Sequence, residues 1–265
     1  MRISYSCAPA GASVLVPGGM TTPHGATKTR IVAGGTARPV TEATTGQTAW
    51  LVEGADTLAI AWDVLDTTAP YPDAVFRPKP SRYSRAADAL MSEAHEMAGD
   101  RADLDAAIAI ACGTAERFTY GHPENRFNDG LEEIPALGCG LTEGSCVDIN
   151  TYFIAALRAV GIEAGYVTGF YIPAEKGDHC EDGHCWVVTR IGGETQEWDV
   201  AHHLKMGSRA IRPGLNPKPG WRAACFHSMG LDFPELGLTD VKAVIEPLML
   251  DPLRGFEAPA IRLAA

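Results

Sequence analysis

Between Ser145 and Val200 the chain reads as one helix followed by three strands, and that order constrains the fold more than any other feature of the sequence. Ser145 and Asp148 form an S-x-x-D capping pattern, in which each side chain satisfies a backbone N–H at the start of a helix. Ile149, Phe153, Ala156, Leu157 and Val160 then recur on one face, and Gly161 suits the C-terminal cap. Strand-like runs follow at 165–172, 185–191 and 195–200, the last two joined around Gly192-Gly193. An apolar helix stripe must be covered, and the three runs that follow it offer a sheet. The expected class is therefore α+β.

Two further amphipathic helices precede this unit. One carries Ala87, Leu90, Met91, Ala94 and Met97 and closes at Gly99; the other carries Leu104, Ile108, Ala111, Ala115 and Phe118. Residues 120–140 show no periodicity. Residues 1–80 read as strands and turns, with 49–52 and 58–65 predicted to pair as a hairpin through Glu53-Gly54-Ala55-Asp56. A proline-rich piece from Pro70 to Pro80 marks a boundary. The expected organisation is an N-terminal β region over 1–80, a catalytic core over 81–208 and a C-terminal extension over 209–265 packing on that core.

The formal net charge of −11 argues against nucleic acid and anionic membrane as partners. No run approaches the roughly 18 apolar residues of a membrane span. Seven cysteines are an odd, scattered number, and the N-terminal residues lack the hydrophobic run of a secretion signal. Free thiols and a cytoplasmic location are the corresponding expectations.

Among those thiols Cys146 is singled out by position. The first turn of a helix presents unpaired N–H groups and the positive end of the macrodipole, which favour a thiolate over a thiol of pKa about 8.5. Gly144 and Ser145 before it are small enough to admit a substrate backbone, and the Cys146 N–H could serve a developing oxyanion. His184 opens one strand and Asp199 ends the next. A two-residue turn at Gly192-Gly193 would set Trp186 opposite Asp199, with His184 as a diagonal neighbour on the same face. Such an arrangement supplies a nucleophile, its base and a carboxylate to orient the base.

These segments resemble a known family. Gly144-Ser145-Cys146-Val147-Asp148, the helix ending Ala155-Ala156-Leu157-Arg158-Ala159-Val160-Gly161-Ile162, and Ala164-Gly165-Tyr166-Val167-Thr168-Gly169 are similar to the nucleophile region of bacterial transglutaminase-like proteins. His184-Cys185-Trp186-Val187 matches that family's H-A-W-V segment, and Trp198-Asp199 its aspartate. Phe118-Thr119-Tyr120 resembles the segment upstream of the nucleophile. The resemblance extends from about Ala87 to Leu204, with Cys185 departing from the usual small residue. It implies a papain-like transglutaminase core, the nucleophile helix packed on an antiparallel sheet, with a small N-terminal β domain. It also implies cysteine-dependent acyl transfer on a peptide or amide substrate, hydrolysis being favoured over amine transfer, with neither cofactor nor metal.

Other readings compete. His179, Cys180, His184 and Cys185 lie within seven residues, and Cys139 or His202 could join them around zinc, yet the spacing matches no structural zinc motif. A Cys180–Cys185 disulfide and a non-catalytic binding module are further alternatives. A calcium-dependent crosslinking enzyme finds no acidic loop of calcium-ligand spacing.

Overall fold

The computed structural model describes residues 1–77, 79–138, 140–251 and 255–257. Seven strands come first: β1 (Arg2–Cys7), β2 (Ser13–Pro17), β3 (Thr21–Thr22), β4 (Gly25–Ala33), β5 (Thr36–Thr41), β6 (Thr48–Glu53) and β7 (Leu58–Leu65). The short helix α1 (Asp73–Phe76) falls inside the proline-rich piece, and α2 (Asp88–Ala98) and α3 (Asp103–Arg117) follow. The chain continues with β8 (Phe118–Tyr120), β9 (Thr142–Gly144), α4 (Cys146–Ala159), β10 (Glu163–Pro173), β11 (His184–Ile191), β12 (Glu194–Trp198) and α5 (Val200–Lys205). The chain then forms β13 (Gly220–His227), β14 (Leu231–Phe233), β15 (Leu238–Val241), β16 (Leu248–Asp251) and β17 (Gly255–Glu257).

The central sheet has the order β12-β11-β10-β13 and is antiparallel throughout. Its strand β10 is buried along nearly its whole length, as expected of a strand covered on both faces rather than one. On one face Ala164, Tyr166, Cys185 and Val187 join the apolar stripes of α2, α3 and α4 in a single core. On the other, Val167, Trp186 and Val188 meet Val75 and Phe76 of α1. That approach depends on Gly165, where a Cβ would lie 2.3 Å from Val75. Phe170, Ile172, Ala223 and Cys225 pack instead against Ile3, Val14, Val52, Ile60 and Trp62 of the N-terminal strands.

Those strands form two sheets, β1-β7-β4-β3 and β17-β16-β2-β6-β5. The expected hairpin between 49–52 and 58–65 does not form. β6 pairs with β2 and β5, whereas β7 pairs with β1 and β4, so residues 54–57 carry the chain from one sheet to the other. Burial is the reason. Val52 and Ile60 belong to one core, and two facing sheets can bury both inner faces where a lone hairpin would leave one in water.

The tract after residue 208 is woven into both layers: β13 is an edge of the central sheet and β16 pairs with β2. Among the described residues no helix is long and apolar enough to cross a membrane.

Candidate active site

The predicted cap of α4 is present. Ser145 N–H donates to Asp148 Oδ2 at 2.9 Å and its hydroxyl donates to the same oxygen at 2.7 Å. Arg126, from the aperiodic 120–140 segment, adds an ion pair at 2.7 Å to Asp148, which is fully buried. This anchoring fixes Ser145 as N-cap and places Cys146, itself buried, at the first helical position. The strand β9 that leads into it pairs in parallel with β8, so Thr119 faces Glu143 and Tyr120 faces Gly144.

His184 and Asp199 are brought together by the hairpin β11–β12. Ile191 faces Glu194 across a two-residue turn in which Gly192 and Gly193 have φ of 59° and 86°, the pattern of a type I′ turn. The ladder runs to Val187 opposite Trp198, the register that the sequence predicts, and Asp199 follows directly as the N-cap of α5. His184 Nε2 lies 2.8 Å from Asp199 Oδ2, and both side chains are buried. The His184 ring also acts on the Cys146 thiol, each shifting the titration of the other.

The charges of these groups follow from their neighbours. Cys146 is held well below the ordinary thiol range by a hydrogen bond from Cys185 and, against the opposing effect of burial, by the hydrogen bond and charge of His184. Burial works against a charged His184, but the Asp199 carboxylate outweighs it and raises the imidazole above its usual value. Asp199 stays well below the carboxylate range despite burial, because His184, Arg222 and His202 surround it. Burial pushes the Cys185 thiol well up, so it remains a donor. Cys185 is more than a space-filling replacement for a small residue. Asn150, one turn along α4 from Cys146, donates to the Cys185 carbonyl at 3.0 Å and lies 3.3 Å from its sulfur.

Three residues that the sequence did not link to Asp199 or Cys146 complete the surroundings. His202 stacks on His184 with ring centroids 4.2 Å apart and planes 6° from parallel, and its Nδ1 lies 2.9 Å from Asp199 Oδ2. A signal for it existed: Asp199 is the N-cap of α5 and accepts from the His202 N–H at 2.9 Å, a three-residue spacing visible in the sequence. Arg222 pairs with Asp199 from β13, twenty-three residues away, with no motif to announce it. Lys205, at the end of α5, stands 4.2 Å from the Tyr120 ring centre and contributes positive charge towards Cys146.

A cleft of about 220 Å³ opens beside His184, walled in part by His122, Tyr171, Asp182, His202 and Lys205. Larger hollows of about 420 and 300 Å³ lie near Gly161. They sit at the other end of α4, roughly 20 Å from Cys146 at 1.5 Å per helical residue.

The residues of the competing zinc reading are not gathered together. Cys180 is buried in the N-terminal core, His179 is exposed beside Asp178 at 3.0 Å, and Cys185 lies in the helical core. Cys139 lies outside the described residues. Cys180 and Cys185 are separate free thiols. Among the described residues, His184, Asp199 and His202 are the one group whose potential ligand atoms all fall within 4.8 Å. Their Asp199 oxygen is shared by two imidazoles and a guanidinium.

The overall fold has a solved counterpart. A structure from Cytophaga hutchinsonii, provisionally assigned as a cysteine protease, superposes with a TM-score of 0.55 over 99% of this chain and 96% of its own, at 14% identity. Residues 92–200 match the model of the transglutaminase-like superfamily, and the chain carries a transglutaminase-like core of mixed α/β structure. No curated protein sequence matches the chain.

Proposed function

We propose that the protein is a cysteine-dependent acyl-transfer enzyme, acting as an amidase or peptidase through a thioester on Cys146. The observation that carries this reading is the pairing of His184 with Asp199 at 2.8 Å beside a cleft, with Cys146 at the start of α4 within electrostatic reach of His184. The thiolate attacks an amide carbonyl, and the oxyanion develops near the Cys146 N–H at the start of α4. Imidazolium His184 gives its proton to the departing amine, then takes one from the water that releases the acid. Asp199 holds the imidazole in the tautomer these transfers require. The likeness to a cysteine protease in fold supports the same reading.

Iodoacetamide labelling followed by mass spectrometry tests the first step. Cys146 is expected to label faster than Cys112 or Cys225 at neutral pH, and His184→Ala is expected to remove the advantage. Equal rates for the three thiols would overturn the mechanism. Substrate class and acyl acceptor follow from a screen of amides scored for both hydrolysis and amine incorporation, hydrolysis being the expected outcome.

A further inference from the structure

The family match ends at residue 200, yet the buried side of the site is closed by a residue from β13. Arg222 pairs with Asp199 through Nη2, and its side chain is only 4% exposed. Its Nε donates to Asn216 Oδ1 at 2.8 Å, fixing the other side of the fork. Its guanidinium carbon lies 5.0 Å from the ring centre of Tyr171 and 5.1 Å from that of Trp186, so two aromatic faces hold it in place. His202 Nδ1 is 3.3 Å from the same Nη2. A buried cation with this many independent restraints has little freedom to leave the carboxylate it serves.

We propose that Arg222 is a positioning residue of the site, clamping Asp199 so that its carboxylate stays ionised and aimed at His184. The proposal rests on the roles assigned above to Cys146 and His184. Burial alone would drive Asp199 towards its neutral form, and a neutral carboxyl could neither fix the imidazole tautomer nor balance its positive charge. The fixed guanidinium prevents that. It also sets the working pH, because the ionised Asp199 carboxylate is what holds the proton on His184. The groups facing His184 are Asp199 and His202 of the α5 region, Cys146 of α4, Tyr171 of β10, Arg222 of β13 and, across the cleft, Asp182. Those acting on Cys146 are His184, Cys185 and Lys205, with Tyr120, Tyr166, Asp182 and Glu246 within electrostatic reach.

The test is the pH profile of Cys146 alkylation in the full chain, with a histidine-ring NMR titration of His184, for Arg222→Gln and Arg222→Lys. Removing the charge should let the buried Asp199 take up its proton, so the His184 limb should fall by about one pH unit and the more distant thiol limb should move by less. The maximal rate should fall on the order of tenfold as Asp199 loses its anchor. Lys keeps the charge and should restore the limbs while recovering only part of the rate. A purely structural Arg222 would lower the melting temperature of the Gln variant and leave both limbs in place, and that result would overturn the proposal. If the Gln variant does not fold, Asn216→Ala decides. It frees one side of the fork with the charge retained, and should slow alkylation with the limbs unmoved; a wild-type rate would overturn the clamp. Failure of the thiol reading is distinguishable, since wild-type Cys146 would then show no fast labelling, while the His184 titration would still report the effect of Arg222.

Discussion

The hairpin β11–β12 and the strands β6 and β7 look alike as sequence, each being a pair of apolar runs joined by a short glycine-containing turn. They fold in opposite ways. β11 and β12 pair with each other through Gly192-Gly193, whereas β6 and β7 part into separate sheets. The first pair is held by turn chemistry, since two successive positive φ values suit the twist of a hairpin. The second is decided by distant partners, β1, β2, β4 and β5, and by the apolar face each sheet must bury. The proposed His184–Asp199 pair lies in the region of local control, while the region of non-local control buries an apolar core of its own.

The comparison breaks most sharply if the two regions fail to separate experimentally. His184→Ala should slow Cys146 alkylation at neutral pH by about 10²–10⁴-fold, the usual scale for loss of a general base, while the melting temperature moves little. Trp62 stands for the other region. It is fully buried, lies 4.8 Å from the Phe170 ring centre, and reaches the Pro17 carbonyl with its indole N–H. Trp62→Ala should cost about 3–5 kcal/mol in denaturant unfolding. The alkylation pH profile of the folded fraction should be that of the wild type. A shifted profile would show that the N-terminal sheets tune the site, and the division would not hold.

How much of this was legible in the sequence follows the same line. Cys146, His184 and Asp199 announce themselves because a cap, a two-glycine turn and a strand period act over a few residues. α4 begins at Cys146 and the β11–β12 register is the predicted one. Arg222 gives no such signal, because its contact with Asp199 depends on β13 returning to the edge of β10. Cys185 was legible as a departure from the family pattern but not as a donor to Cys146, since only the approach of α4 to β11 brings the sulfurs together. The parallel pair β8–β9 was invisible for a similar reason: its strands are three residues each, with an aperiodic segment between them.

Glu246 sits where the two regions meet, accepting from the Gly183 N–H at 3.3 Å just before His184. Burial, opposed by that hydrogen bond and helped by Asp182 and Cys146, lifts its carboxyl to about 7. A carboxyl whose folded value is raised binds its proton more tightly when folded. Stability is therefore lost as pH rises from the unfolded value of about 4.3 to the folded one, and is flat above it. Glu246→Gln removes the titration. Its advantage over the wild type should grow between about pH 4.5 and 7 and reach about 1–2 kcal/mol, allowing for partial exposure. Parallel pH–stability curves for the two proteins would show that the carboxyl does not couple the regions.

The smallest effect is expected at the turn itself, and it tests the local half of the comparison directly. A Cβ at Gly192 or Gly193 would meet nothing within 4 Å, so any cost there comes from backbone conformation alone. Gly192→Asn should be almost neutral, because asparagine tolerates the left-handed region and favours this turn. Gly193→Val should cost about 1–2 kcal/mol, the penalty of a β-branched residue at positive φ. Neither should move the alkylation pH profile, because the ladder from Val187–Trp198 to Ile191–Glu194 holds the register once folded. If Gly193→Val instead abolished fast labelling with the fold intact, the turn would be setting the His184–Asp199 contact rather than only easing its formation.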